Sequence, residues 1–165
     1  MTDLDYRAAI CARVGAGEGL SMKTDISFRE VSIGEWRPGY ATCHANVDRW
    51  VGAHPHCIAV RGWMRTAGLS DGGCIMAAHS IVKDTGDGSL FDITPFCDQN
   101  ARDYVVFITH DGSDEAFFQV EATNKSFNCP GGLTAPATLE DWRPFDGDDA
   151  SPDGDNFGDM PDYDR

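Results

Sequence analysis

Two β-rich runs joined by a glycine turn constrain this chain more than any other feature. Cys74 to Val82 ends in His79-Ser80-Ile81-Val82, and Leu90 to Thr94 reads Leu-Phe-Asp-Ile-Thr. Between them stands Thr85-Gly86-Asp87-Gly88, which has the residues of a hairpin turn. The pattern predicts two antiparallel strands with His79 on one and Asp92 on its neighbour. An aspartate inside an apolar strand needs a partner, because burying a lone carboxylate is costly.

Ile58–Arg65 and Tyr104–Thr109 are further strands by composition, and Ile26–Ile33 alternates with one slip, as a bulged strand does. Tyr6–Val14 predicts a short helix that stops at the glycines 15, 17 and 19. Those glycines follow no strand and lead to no Gly-Lys-Ser/Thr ending, which argues against a nucleotide loop. Ser113 to Val120 predicts another helix, with Ser113 as N-cap and Asp114 and Glu115 in its first turn. In the third, Cys43, Val47, Trp50 and Val51 recur at helical spacing, Thr42 is the expected N-cap, and Gly52 marks the end. Cys43 therefore opens a helix. The fold class is α+β, an N-terminal nucleophile helix packed on an antiparallel sheet.

The 165 residues fit one domain, taken as 1–145. Of the net charge of −14, half sits in residues 146–165, which hold eight aspartates and one arginine. That segment has too little apolar surface to fold and is expected to be a disordered acidic tail. It suits a basic protein partner, whereas the acidic body repels phosphate and predicts no direct nucleic-acid binding. No apolar run approaches the ~18 residues of a membrane span, and the first 18 residues lack the apolar stretch of a signal peptide. A cytoplasmic setting follows, and the six cysteines, with no CxxC pair, read mostly as free thiols, several of them core residues. Arg61 and Arg65 flank Trp63 and are expected on a solvated face.

Nucleophilic chemistry at cysteine needs the thiolate, which a helix N-terminus, a nearby imidazole and exclusion of bulk water each favour. Cys43 has the first by position, and His79 supplies the second if the hairpin packs on the helix. Asp92 then fixes the tautomer and orientation of His79 through its other nitrogen. Backbone N–H groups of Cys43 and His44 at the helix start suit an oxyanion. His110, beside a turn at the end of a strand, is a second candidate for cleft residue and general base. A zinc set of Cys43, His44, His56 and Cys57 matches no familiar module, and neither a metal nor a cofactor is expected.

A cysteine opening a helix, then Ala78-His79-Ser80-Ile81-Val82, a turn, and Asp87-Gly88-Ser89-Leu90-Phe91-Asp92-Ile93-Thr94-Pro95 resembles the papain-like superfamily, above all its transglutaminase-like and NlpC-type branches. The resemblance covers about residues 40–110. It implies a papain-like fold and cysteine-dependent amide chemistry on a protein or peptide substrate. The enzyme would be a peptidase, amidase, deamidase or transglutaminase-like acyl-transferase, with Cys43 as nucleophile, His79 as base and Asp92 as orienter. Papain-type enzymes add a side-chain amide shortly before the cysteine. Here Glu35 to Tyr40 contains no Gln or Asn, which leaves Tyr40 or a backbone group for that task. The alternative is a non-catalytic binding or inhibitor protein on the same scaffold, engaging a basic partner through the acidic tail.

Overall fold

The structure, a computed structural model, describes residues 2–97 and 99–131. The acidic segment 146–165, and Trp142 and Phe145, expected to pin the irregular stretch before it to the body, lie outside the described residues.

Among the described residues, three α-helices and seven strands make an α+β fold. Helix α1 (Asp3–Gly15) begins earlier than apolar spacing suggests because Thr2 and Asp5 form a reciprocal capping box. Short strands β1 (Leu20–Ser21) and β2 (Ser27–Phe28) follow, then α2 (Cys43–Ala53). The long strands β3 (Cys57–Gly68) and β4 (Cys74–Asp84) pair antiparallel along almost their full length. Next come β5 (Leu90–Asp92), a 3-10 helix Gln99–Tyr104, β6 (Val106–Thr109), α3 (Asp114–Thr123) and β7 (Ser126–Cys129). The sheet order is β1-β6-β3-β4-β5-β2, with β7 also on β4.

The sheet is mixed rather than antiparallel throughout, because β2 runs parallel to β5. The expected strand over 26–33 shrinks to two residues. β5 offers it a partner only three residues long, and beyond the ladder only Arg29 N–H continues, to Asp92 O. Its apolar residues serve packing instead: Ile26 is fully buried and Val31 packs beneath α2. β7 falls where the pattern fades after Asn124, and its apolar residues Phe127 and Cys129 face the core.

Two of the six cysteines are not free. Cys11 in α1 and Cys129 in β7 form a disulfide. Disulfides persist in oxidising surroundings, so this bridge runs against the cytoplasmic setting expected from the lack of a signal-like or membrane-spanning stretch. Cys57 and Cys74 are buried, as expected of small core residues, and Cys97 is exposed. No helix among the described residues is long and apolar enough to cross a membrane.

What positions the site is a split edge of β4. One edge carries β3 throughout. On the other, β7 pairs with Cys74–Ala77 and β5 with Val82–Lys83. Among the described residues the stretch between them has no strand partner on that edge, and there the start of α2 approaches. Val47 of α2 packs with Val82, Phe91 and Ile93, which anchors the helix over the hairpin.

Candidate active site

Cys43 is the first residue of α2, and the backbone before it is constrained. Ala41 has φ 54°, the left-handed region that costs a β-carbon residue about 1–2 kcal/mol. The expected Thr42 cap does not form as such: the Thr42 side chain makes no capping bond to the helix, and its hydroxyl bonds Gly39 O and Asn46 Oδ1. The first-turn N–H groups are therefore spared by their own cap residue and remain suited to an anion. Asn46 holds the preceding loop, accepting from Gly39 N–H at 3.1 Å and donating to Gly39 O at 2.8 Å and Thr94 Oγ1 at 3.2 Å.

The Cys43 thiol points to the Ala78 carbonyl at 3.9 Å, in the split edge of β4 and one residue from His79. His79 is buried, and its Nε2 lies 3.0 Å from Asp92 Oδ2. With Nε2 so engaged, Nδ1 is the nitrogen left for the sulfur. Burial pushes the Cys43 thiol up, but hydrogen bonds with His44 and His79 and the charge of both rings outweigh it, and its pKa falls from 9.0 to about 6. Burial likewise opposes a charged His79, yet the charge and hydrogen bond of Asp92, with those of Cys43, raise it to about 10. The two shifts describe one coupled event: near neutral pH the pair rests as thiolate and imidazolium. By contrast, burial pushes the thiols of Cys57 and Cys74 up.

Asp92 is fully buried, and each of its oxygens accepts from nitrogen donors. Oδ1 takes the Thr94 N–H at 2.8 Å, while Oδ2 takes His79 and, at 3.3 Å, Arg102 Nη1. Arg102 is a site residue that sequence reasoning missed. It comes from the 3-10 helix, is buried, and lies 5.0 Å over Phe28 and 5.1 Å over Phe96. Nothing in an irregular segment of that composition signals it. Gly62 stands directly opposite His79 in the ladder. A β-carbon there would meet Ile108 O at 2.3 Å and the Phe107 ring at 2.6 Å, the ring that stands edge-on to His79.

The structure separates the other sequence candidates. His44 belongs to the site: it follows Cys43 in α2 and lowers the pKa of that thiol, and its Nδ1 lies 2.6 Å from Ser80 Oγ. Tyr40 is 61% exposed and lines an open groove of about 620 Å³ with Phe28, Val31, Pro38, Ile93 and Pro95. His110 is engaged elsewhere. Its Nδ1 takes the Tyr6 hydroxyl at 2.7 Å, while Tyr6 accepts from Trp63 Nε1, and its Nε2 lies 3.2 Å from Ser113 O. Both nitrogens are thus occupied in a packing network, which is poor provision for a base.

Arg61 overturns the expectation of a solvated face. It is 5% exposed, stands opposite Ser80 in the β3–β4 ladder, and bonds Ser80 Oγ, Asp48 and Asp114. The signal was present in its spacing: two residues from Trp63 on one strand, it shares that buried residue's face. Cys43-His44 and His56-Cys57 lie at opposite ends of the eleven-residue α2, about 16 Å long by its rise per residue, so they do not converge on one metal. His56, Cys57 and Asp84 form a separate group, in which His56 Nε2 and Asp84 Oδ2 are 3.8 Å apart.

Comparisons of the chain with protein-family models, curated proteins and solved structures find no match.

Proposed function

We propose that the protein is a cysteine-dependent hydrolase or acyl-transferase that acts on an amide bond. One observation carries this reading: Cys43 opens an uncapped helix beside His79, whose far nitrogen is hydrogen-bonded to a fully buried Asp92. A structural cysteine has no need of that arrangement. The order of nucleophile helix, histidine strand and aspartate strand supports a papain-like relationship of the transglutaminase-like or NlpC-type kind.

In the cycle that follows, the Cys43 thiolate attacks the carbonyl carbon, a C–S bond forms, and the carbonyl π pair moves onto oxygen. N–H groups at the start of α2 face that oxyanion. As the adduct collapses, C=O re-forms and the C–N bond breaks, with the His79 Nδ1 proton passing to the departing amine. Water, or a second amine, then attacks the thioester and gives its proton to His79. The acid or new amide leaves, and the thiolate–imidazolium pair is restored. The groove beside Tyr40 and Pro95 suits an extended, partly apolar acyl chain.

Mass-resolved labelling with iodoacetamide near pH 7 tests the assignment. Cys43 should react at least tenfold faster than the exposed Cys97, and His79→Ala should remove the difference. Equal rates at the two cysteines would end this reading.

A further inference from the structure

Two histidines, His44 and His79, lower the pKa of the Cys43 thiol, and the proposed cycle uses one of them. The other, His44, is held from both sides. Its Nδ1 meets Ser80 Oγ at 2.6 Å, and Ser80 is fully buried. The same oxygen accepts from Arg61 Nη1 at 2.8 Å. A guanidinium has no acceptor to offer, so the Ser80 hydroxyl keeps its proton for another partner; when that proton goes to His44 Nδ1, the N–H of the ring lies at Nε2. Arg61 is in turn fixed by Asp48 and by Asp114 at 3.0 Å, and lies 5.0 Å over the Phe118 ring. Phe117 and Phe118 stand edge-on to His44 at 5.6 and 5.5 Å. A buried arginine, a buried serine and two aromatic rings thus set the direction of one N–H.

The other side chains near the sulfur do not meet the need for an oxyanion donor. The Asn46 amide is spent on Gly39 O and Thr94 Oγ1. Tyr40 projects into solvent. His79 has its proton assigned to the leaving amine.

We propose that the His44 imidazole is the side-chain oxyanion donor of this site, with Ser80 and Arg61 as its positioning residues. The proposal rests on the cysteine-acylation reading. In the resting site Nε2–H bonds the thiolate. When the C–S bond forms, negative charge leaves sulfur for the carbonyl oxygen one bond further on, and the same N–H follows it. His44 transfers no proton. It takes the place of the amide that the stretch before Cys43 lacks.

Two reactions at one sulfur test this. Iodoacetamide alkylation displaces iodide and forms no oxyanion, whereas acylation by p-nitrophenyl acetate passes through one. Both rates at Cys43 are compared at about pH 9.5, where even an ordinary thiol is mostly ionised. His44→Ala should slow acylation by roughly 10²–10³-fold, the usual loss for one such donor, and leave alkylation nearly unchanged. His44→Gln, whose amide nitrogen falls near the Nε2 position, should recover most of the acylation rate. Ser80→Ala should slow acylation by roughly tenfold, as expected for one loosened hydrogen bond. If His44→Ala does not fold, the Gln and Ser80 variants decide. Equal losses in both reactions, or a Gln variant no better than Ala, would overturn the proposal. A wild-type Cys43 that is neither alkylated faster than Cys97 nor acylated is a different failure, and it removes the cysteine reading itself.

Discussion

His79 stands diagonally across the β4–β5 hairpin from Asp92, with Nε2 3.0 Å from Oδ2. The register explains the meeting. Val82 faces Phe91, so Ile81 falls opposite Asp92, and His79 lies two residues further along the same face. Diagonal neighbours of this kind are within reach of long or aromatic side chains. The pair is therefore set by backbone pairing, and only its contact with Cys43 depends on how α2 packs.

The first prediction concerns pH. A Cys43 pKa of about 6 means that thiolate is the majority form above that value. Alkylation of Cys43 should be nearly level from about pH 7 to 9 and fall as pH drops through about 6, where the sulfur gains its proton. In His79→Ala the lost imidazolium no longer stabilises the thiolate, and the midpoint should move upward toward 9.0. Rate against pH with peptide-level mass spectrometry reads both midpoints.

Asp92→Asn should separate the two tasks of that side chain. Oδ1 caps the Thr94 turn, and Oδ2 receives His79 and Arg102. An amide that keeps its oxygen toward Thr94 N–H must turn its NH₂ at two donors. His79 then moves its proton to Nδ1 and can no longer accept from the thiol. Acylation near neutral pH should fall by roughly 10²–10⁴-fold, as when other triads lose the acceptor, while far-UV circular dichroism stays native. Full activity in this variant would reduce Asp92 to a turn cap.

Arg102→Leu should destabilise the fold by roughly 2–4 kcal/mol, toward the lower side of what breaking a buried pair costs. Asp92 keeps His79 as a partner, which moderates the loss, but one of its two positive neighbours is gone. Urea unfolding should show a lower midpoint with the slope unchanged. A change under about 0.5 kcal/mol, typical of an exposed site, would mean that Arg102 is not the buried partner described.

The Cys11–Cys129 bridge closes a loop of sequence separation 118. A cross-link over that span restricts the unfolded chain enough for roughly 3–5 kcal/mol. Replacing both cysteines with alanine, or adding a reductant, should lower the urea midpoint accordingly. Labelling of Cys43 at low denaturant should remain fast, because the bridge ties α1 to β7 and touches neither His79 nor Asp92.

Local pattern in the chain was enough for most of the helices and strands and for the His79–Asp92 half of the site. Alternation over β3 and β4, the glycine turn before β5 and the helical spacing after Thr42 are short-range patterns, and a hairpin brings its own residues together. The resemblance of these segments to papain-like enzymes supplied the roles assigned to Cys43, His79 and Asp92. The remainder came from long-range packing. β7 pairs with β4 from 49 residues or more away and, among the described residues, leaves the edge open where Cys43 enters. Arg102 reaches Asp92 from a 3-10 helix with no periodicity to read. Arg61 and Ser80 meet only because two strands align in one register, and that register also brings His44 its fixed hydrogen bond. Chain pattern encodes which face a residue takes. Which partner waits on that face depends on long-range packing, where burial leaves a charged or polar group no water and so selects the arrangement that satisfies it.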